Sequence, residues 1–187
     1  KAVGSYKDIS LGLDLAGEFS YYGEKSADIK GAAAELVANG EVKAALGVDM
    51  NGAARRAAAL SGVDFLKPTY GTVSRYGVIS CAASGEQLGV YAKNADGIKE
   101  IMTVIAGHDD KDGTSLPEVE IAKKADAKPI KRVAIINDMM ADVSDDIKAN
   151  IDSAIAKLGV EVVNIDSSVI ASSRPAWNIL MSAELCN

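Results

Sequence analysis

The sequence predicts an α/β fold, and three observations predict it. Residues 132–138 (RVAIIND) and 160–166 (VEVVNID) are β-branched runs of strand length, and between them Ile147, Ile151, Ile155 and Leu158 recur at helical spacing, which makes a βαβ unit. Residues 44–60 read as strand, tight loop and helix, a second change of period within a short stretch. The composition, 187 residues with 48% hydrophobic, 25% charged and 5% aromatic, is that of an ordinary globular chain able to bury a core without staples.

Taken in order, residues 1–25 mix glycine, tyrosine and short apolar runs and read as short strands and loops. Residues 32–38 are rich in Ala, Leu, Val and Glu and predict a helix, stopped by Asn39-Gly40. A strand over 44–48, a turn over 49–52 and a helix over 53–60 follow, and such a junction aims backbone N–H groups at whatever lies in front of it. Residues 63–89 carry spaced glycines, one proline and β-branched residues, which suits short strands and an ordered irregular loop. Asn94 caps a helix whose Ile98, Ile101, Met102 and Ile105 form one stripe, ended by Gly107. Residues 108–131 are polar, with charge clusters and two prolines, and read as a surface connection. In the βαβ unit Ser144 caps the helix, Asp145 and Asp146 suit the positive end of its dipole, and Gly159 closes it. A last helix is expected over 175–185, with Pro175 at an allowed early position.

The net charge of −6 argues against a basic surface that binds nucleic acid by counterion release. No apolar run approaches the length of a membrane span, and the first residues lack the basic-then-apolar order of a signal peptide. The expectation is a soluble protein of the cytoplasm, or of an organellar matrix in a eukaryote. Cys81 and Cys186 form no metal-binding or disulfide pattern, and neither a metal nor another cofactor is implied. Beginning at Lys1 and not at Met, the chain is read as a fragment or a processed product.

Residues 44–115 carry a more specific pattern. The strings LKPTYG (66–71), VSRYG (73–77) and AGHD (106–109), preceded by GVDMNGAAR (47–55), resemble the central block of the amidase-signature family, in particular the A subunits of tRNA-dependent amidotransferases. A weaker likeness continues through the βαβ unit to Ser182-Ala183-Glu184. The resemblance implies one α/β domain over 1–187, a mixed sheet flanked by helices, incomplete relative to the family: a degenerate N-terminal part (1–43), a core block (44–115), a connection (116–131) and the βαβ unit with its final helix (132–187).

The resemblance also implies amide hydrolysis by a Ser-Ser-Lys triad, in which a positioned base activates a weak hydroxyl nucleophile and loop N–H groups hold the oxyanion. Carried over residue by residue, the family's D-T-G-G-S-I-R falls on Asp49, Met50, Asn51, Gly52, Ala53, Ala54 and Arg55, which puts Ala53 at the nucleophile position. The relay serine falls on Ile29, and the base has only a tripeptide echo at Lys7-Asp8-Ile9, where an exposed surface lysine is the favoured reading. Glu18-Phe19 is a similar short echo. No intact catalytic residue is expected. Asp49, Asn51, Gly52 and Arg55 remain as remnants of the substrate loop. They either hold an amide or carboxylate, for which a guanidinium is a good fork, or pin the loop to the core. Asn51 places a side chain where the family has glycine.

Other chemistry is less well supported. Cys81, Ser61 and Ser84 have no signalled partner, and the single histidine, His108, reads as a capping or packing residue. Asp109, Asp110 and Asp112 lack the ligand alternation of a calcium loop and read as a solvated acidic turn. The basic residues and tyrosines of 67–76 belong to the family pattern more than to an RNA surface. Whether the chain is an enzyme stays open. The expected function is that of a catalytically silent amidase-signature member acting as a binding or assembly module. The alternatives are a working subunit completed by further segments or chains, and a remnant without selected function. Partners, by resemblance, are the other amidotransferase subunits, with no membrane and no direct nucleic-acid contact expected.

Overall fold

A computed structural model of the chain describes residues 31–80, 82–121 and 129–186. The strands and loops expected over 1–25 lie outside the described residues. The chain forms two compact units, dividing after Lys123.

In the first unit the elements are α1 (Ala32–Ala38), β1 (Ala44–Asp49), α2 (Ala53–Ser61), β2 (Asp64–Leu66), β3 (Gln87–Ala92), α3 (Ala95–Ile105) and a short α4 (Glu118–Ile121). The sheet order is β1-β3-β2 and both pairings are antiparallel, with Asp49 opposite Gln87, Gly47 opposite Gly89 and Leu66 opposite Val90. Alternation along β3 separates two cores. Tyr91 joins Ala33, Ala34 and Val37 of α1 and Ala54, Ala57 and Ala58 of α2, whereas Val90 and Ala92 join Ile98 of α3. Five alanines, Ala33, Ala34, Ala54, Ala57 and Ala58, gather at one place, where small side chains let α1 and α2 approach each other and the sheet closely. Phe65 packs its ring against Tyr91 with centroids 4.5 Å apart.

Strand β3 is central and almost wholly buried, and the sequence pattern does not isolate it. Its first half merges into an irregular region because Gly89 interrupts the apolar run and Gln87 is polar. Both exceptions have long-range causes. A Cβ on Gly89 would stand 2.4 Å from the Leu66 carbonyl oxygen and from the Phe65 ring. The buried Gln87 amide accepts from Gly71 N–H at 3.0 Å and donates to the Val73 carbonyl at 3.2 Å, tying the irregular 67–86 segment to the sheet. Helix α3 forms as expected, with the Asn94 carboxamide oxygen accepting from Gly97 N–H at 2.9 Å.

In the second unit, β4 (Arg132–Ile136) and β5 (Glu161–Ile165) pair in parallel, Arg132 opposite Glu161, with α5 (Asp145–Leu158) between them. This is the βαβ unit read from the sequence. Each strand runs into a 3-10 turn, Asn137–Met140 and Ser167–Ile170, and the two turns are joined by the Ser167 hydroxyl donating to Asp138. Ser144 stands at the N-cap position, yet its hydroxyl serves the Asp146 carboxylate and makes no bond to a helix N–H. Gly159 closes α5 in the left-handed region (φ 61°), its N–H shared between the Ile155 and Ala156 carbonyls. Helix α6 spans Ser173–Leu185, starting two residues earlier than expected because Pro175 sits in the first turn, where no N–H is needed. Among the described residues no helix is long and apolar enough to cross a membrane.

Candidate functional site

The junction of β1 and α2 holds the residues singled out from the sequence. Asp49 ends β1 and its side chain is 0% exposed. Buried carboxylates must be paired and hydrogen-bonded, and this one collects five donors. Its Oδ1 accepts from Gly52 N–H at 2.8 Å, Arg55 Nη2 at 3.2 Å and Lys67 Nζ at 3.4 Å. Its Oδ2 accepts from Arg55 N–H and Arg55 Nε, both at 3.1 Å. Gly52 takes φ 94° and ψ 3°, a left-handed conformation that folds the turn back so that its N–H reaches Asp49. Ala53 is the first residue of α2, Asn51 is exposed at the turn, and Arg55 leaves one side of its guanidinium in solvent, with 56% of the side chain exposed.

Lys67 belongs to this site, although the sequence places it only in the family block. Its ammonium donates to the Met50 carbonyl at 3.1 Å and the Gly85 carbonyl at 2.9 Å in addition to Asp49, joining the loop to the 82–86 turn. No local signal marks this role, because the three acceptors come from two stretches of chain, both about eighteen residues from Lys67. One carboxylate thus stands between two cations at the N-terminal end of a helix, a cluster with net positive charge. Burial raises the Asp49 pKa, but the Arg55 side chain and the N–H groups of Gly52 and Arg55 outweigh it, so the net shift is downward. The Asp49 contact in turn raises the Arg55 pKa.

The structure therefore brings together Asp49, Gly52 and Arg55 and adds Lys67. Lys7, Ile29 and Cys81 lie outside the described residues. At position 53 the side chain is a methyl group, with no lone pair to attack a carbonyl and no proton to transfer. An open groove of about 690 Å³ adjoins Arg55 and is lined by Ala58, Val63, Phe65, Ile98 and Met102 among others.

The 108–116 segment lies at the surface, as expected, with Asp110 exposed, and it is ordered by bonds to residues 70–75. Asp109 accepts from the Ser74 hydroxyl at 2.6 Å, and Asp112 accepts from Arg75 N–H at 2.8 Å. The Arg75 guanidinium lies over the Tyr70 ring and donates to Tyr70 Oη and Thr114 Oγ1, closing the loop from the other side. Among the described residues no cluster of His, Cys, Asp or Glu could hold a metal ion.

A profile of the amidase family matches residues 31–186. The chain belongs to the amidase family. Over 167 residues it is 39% identical to the A subunit of glutamyl-tRNA(Gln) amidotransferase from Latilactobacillus sakei, covering 80% of this chain and 34% of that protein. The crystal structure of the A subunit of glutamyl-tRNA(Gln) amidotransferase from Thermotoga maritima superimposes with a TM-score of 0.70 at 30% identity, over 82% of this chain and 35% of that one. The peptide amidase of Stenotrophomonas maltophilia shares the fold, with a TM-score of 0.62 at 18% identity, over 90% of this chain and 39% of that one. The chain thus spans about a third of the length of the amidotransferase subunits it matches.

For this amidase-family unit the Asp49 network sets an acid limit. An aspartate whose pKa is lowered by folding stabilises the native state above its unfolded value, 3.8, and that stability is lost as pH falls through the lower folded value. Asp109, held down chiefly by the Ser74 hydroxyl, acts in the same direction. So does Asp112, where burial pushes the pKa up but bonds from Thr114 and Arg75 prevail. The urea midpoint of the first unit is expected to fall steeply between about pH 5 and about pH 2. The βαβ unit should respond less, its lowered Asp146 and Asp166 being solvent-exposed carboxylates bonded to adjacent serines.

Proposed function

We propose that this chain is a catalytically silent amidase-family member that serves as a binding or assembly module, related to the A subunits of tRNA-dependent amidotransferases. One observation carries the reading. The loop that would present a nucleophile is fully anchored, through Asp49, Gly52, Arg55 and Lys67, while the side chain at the presenting position is the methyl group of Ala53. A loop that had lost all purpose would have no reason to keep a five-donor buried carboxylate. A loop that still performed acyl transfer would need a hydroxyl or a thiol at its tip.

The site suits an uncharged amide or a carboxylate, because the half-exposed Arg55 guanidinium and the first turn of α2 both present N–H donors. The fitting partners are the remaining subunits of an amidotransferase, and co-elution of the chain with them in size-exclusion chromatography is the expected result. Restoring the hydroxyl tests the vacated site. Ala53→Ser is expected to give no turnover of glutamine, asparagine or simple primary amides, since the relay position is Ile29. Turnover by that single variant would show that the relay and the base are present elsewhere.

A second reading is favoured by the coverage of about a third of the matched subunits. In it the chain contributes to a working site completed by other segments or chains. Labelling of this chain by a serine- or cysteine-directed covalent probe would select that reading.

A further inference from the structure

Two asparagines of this chain are followed by glycine, Asn39-Gly40 and Asn51-Gly52. In such a pair the glycine nitrogen, once deprotonated, attacks the asparagine Cγ with no side chain of its own in the way. A bond forms between that nitrogen and Cγ, the Cγ–Nδ2 bond breaks, and Nδ2 leaves with the proton as ammonia. Water then opens the cyclic imide at one carbonyl or the other, giving aspartate or isoaspartate. Both asparagines are exposed, so access of solvent does not separate the two pairs.

What separates them is the hold on the attacking nitrogen. Closing the ring re-aims the glycine nitrogen at Cγ, so its N–H must first leave its acceptor. Asn39 follows α1 with φ −73° and ψ −11°, and Gly40 N–H donates to the Val37 carbonyl at 3.1 Å. That is a neutral bond at the exposed end of a seven-residue helix, of the kind that opens by fraying. Gly52 N–H donates at 2.8 Å to Oδ1 of Asp49, whose side chain is wholly buried. A charge-assisted bond is roughly twice as strong as a neutral one. The turn cannot swing away as one piece either, because Oδ2 of the same carboxylate holds Arg55 N–H at 3.1 Å. Asp49 does not promote the reaction as a base, since its pKa is lowered. From this geometry we infer that Asn39 is the chain's site of spontaneous deamidation, and that the Asp49 carboxylate guards Asn51 against the same reaction.

The two positions differ in what is at stake. Guarding Asn51 keeps an uncharged side chain at the tip of the β1–α2 turn. At Asn39 the isoaspartate product inserts a carbon into the main chain where Gly40, Glu41 and Val42 N–H return to the Val37 and Leu36 carbonyls. The Lys93 ammonium, 3.4 Å from where a Cβ on Gly40 would stand, offsets a new charge there but not the added length. Since α1 supplies Ala33, Ala34 and Val37 to the core, the change falls where it loosens the first unit. It releases one ammonia per asparagine and is not a turnover.

The test is incubation of the full chain for several days in mildly alkaline buffer, native and in guanidinium chloride, with both pairs followed by peptide mass mapping. Unfolded, the two pairs should react at closely similar rates, because only the local sequence then acts. In the native chain Asn39 is expected to react at least about 10-fold faster than Asn51, the difference between a neutral and a charge-assisted bond. Asp49→Ala removes the acceptor and should raise the Asn51 rate while leaving the Asn39 rate as it was. A rise at Asn39 to its guanidinium rate would mark that variant as unfolded, and the native and unfolded rates of the unaltered chain then decide. Asn51 reacting as fast as Asn39 in the native chain would overturn the inference. So would reaction at neither pair in the native chain while both react unfolded, or a folded Asp49→Ala whose Asn51 rate is unchanged.

Discussion

Replacing Asp49 with alanine is expected to destabilise the first unit by about 3 kcal/mol, in the range for breaking a buried ion pair by removing one partner. Five donors lose their acceptor at once: two backbone N–H groups, two nitrogens of Arg55 and the Lys67 ammonium. Two facts keep the figure from being larger. Arg55 is more than half exposed and its guanidinium can turn to water, and Lys67 retains the Met50 and Gly85 carbonyls. The backbone donors have no such escape, because the Gly52 turn is fixed by the helix behind it. Asp49→Asn keeps the shape and one acceptor oxygen but turns an amide NH2 toward the Arg55 donors, so about half of the loss should remain. Urea denaturation followed through the tyrosines, which in the described residues all lie in the first unit, reads this directly. A loss below about 0.5 kcal/mol for Asp49→Ala would mean that the network merely decorates a loop held by packing.

Gly89→Ala should be as damaging for a different reason. The added methyl carbon would meet the Leu66 carbonyl oxygen and the Phe65 Cζ, each at 2.4 Å. The first is backbone of the paired strand and can yield only by spreading β2 from β3. The second belongs to a ring already packed against Tyr91 in the core. Overpacking of this kind costs about 3 kcal/mol. The methyl group of Gly113→Ala is the matched control, since nothing stands within 4 Å of its Cβ. A melting temperature lowered by several degrees for Gly89→Ala beside an unchanged one for Gly113→Ala is the expected pair of results. Equal effects would show that the β2–β3 spacing is softer than the geometry implies.

Elements whose signals are local are legible from the sequence: the Asn94 cap and stripe of α3, the Gly159 stop of α5, the apolar runs of β4 and β5, and the turn between β1 and α2. Strand β3 is not, because its reasons lie in other strands. Gly89 is required by Phe65 and Leu66, and Gln87 is buried by virtue of Gly71 and Val73. The candidate site divides in the same way. Asp49, Gly52 and Arg55 stand close together in sequence within a family string, and the structure joins them through bonds to the Asp49 carboxylate. Lys67, eighteen positions from the carboxylate it contacts, reads from the sequence only as part of the family block. His108 reads as a capping or packing residue, and its ring does bridge a turn; that both of its nitrogens face acceptors follows only from the folded loop. The aspartates at 109 and 112 read as solvated because their partners, Ser74 and Arg75, are more than thirty residues away.

The proposed catalytic silence rests on reading Ala53 at the nucleophile position of a loop whose Asp49 anchor is kept. The most direct measurement is ammonia release by the purified, unaltered chain from glutamine, asparagine and simple primary amides, followed over protein concentrations high enough to reveal a few turnovers per hour. The expected rate is indistinguishable from buffer at every concentration. Release that rises in proportion to the amount of this chain, and persists through successive purification steps, would contradict it.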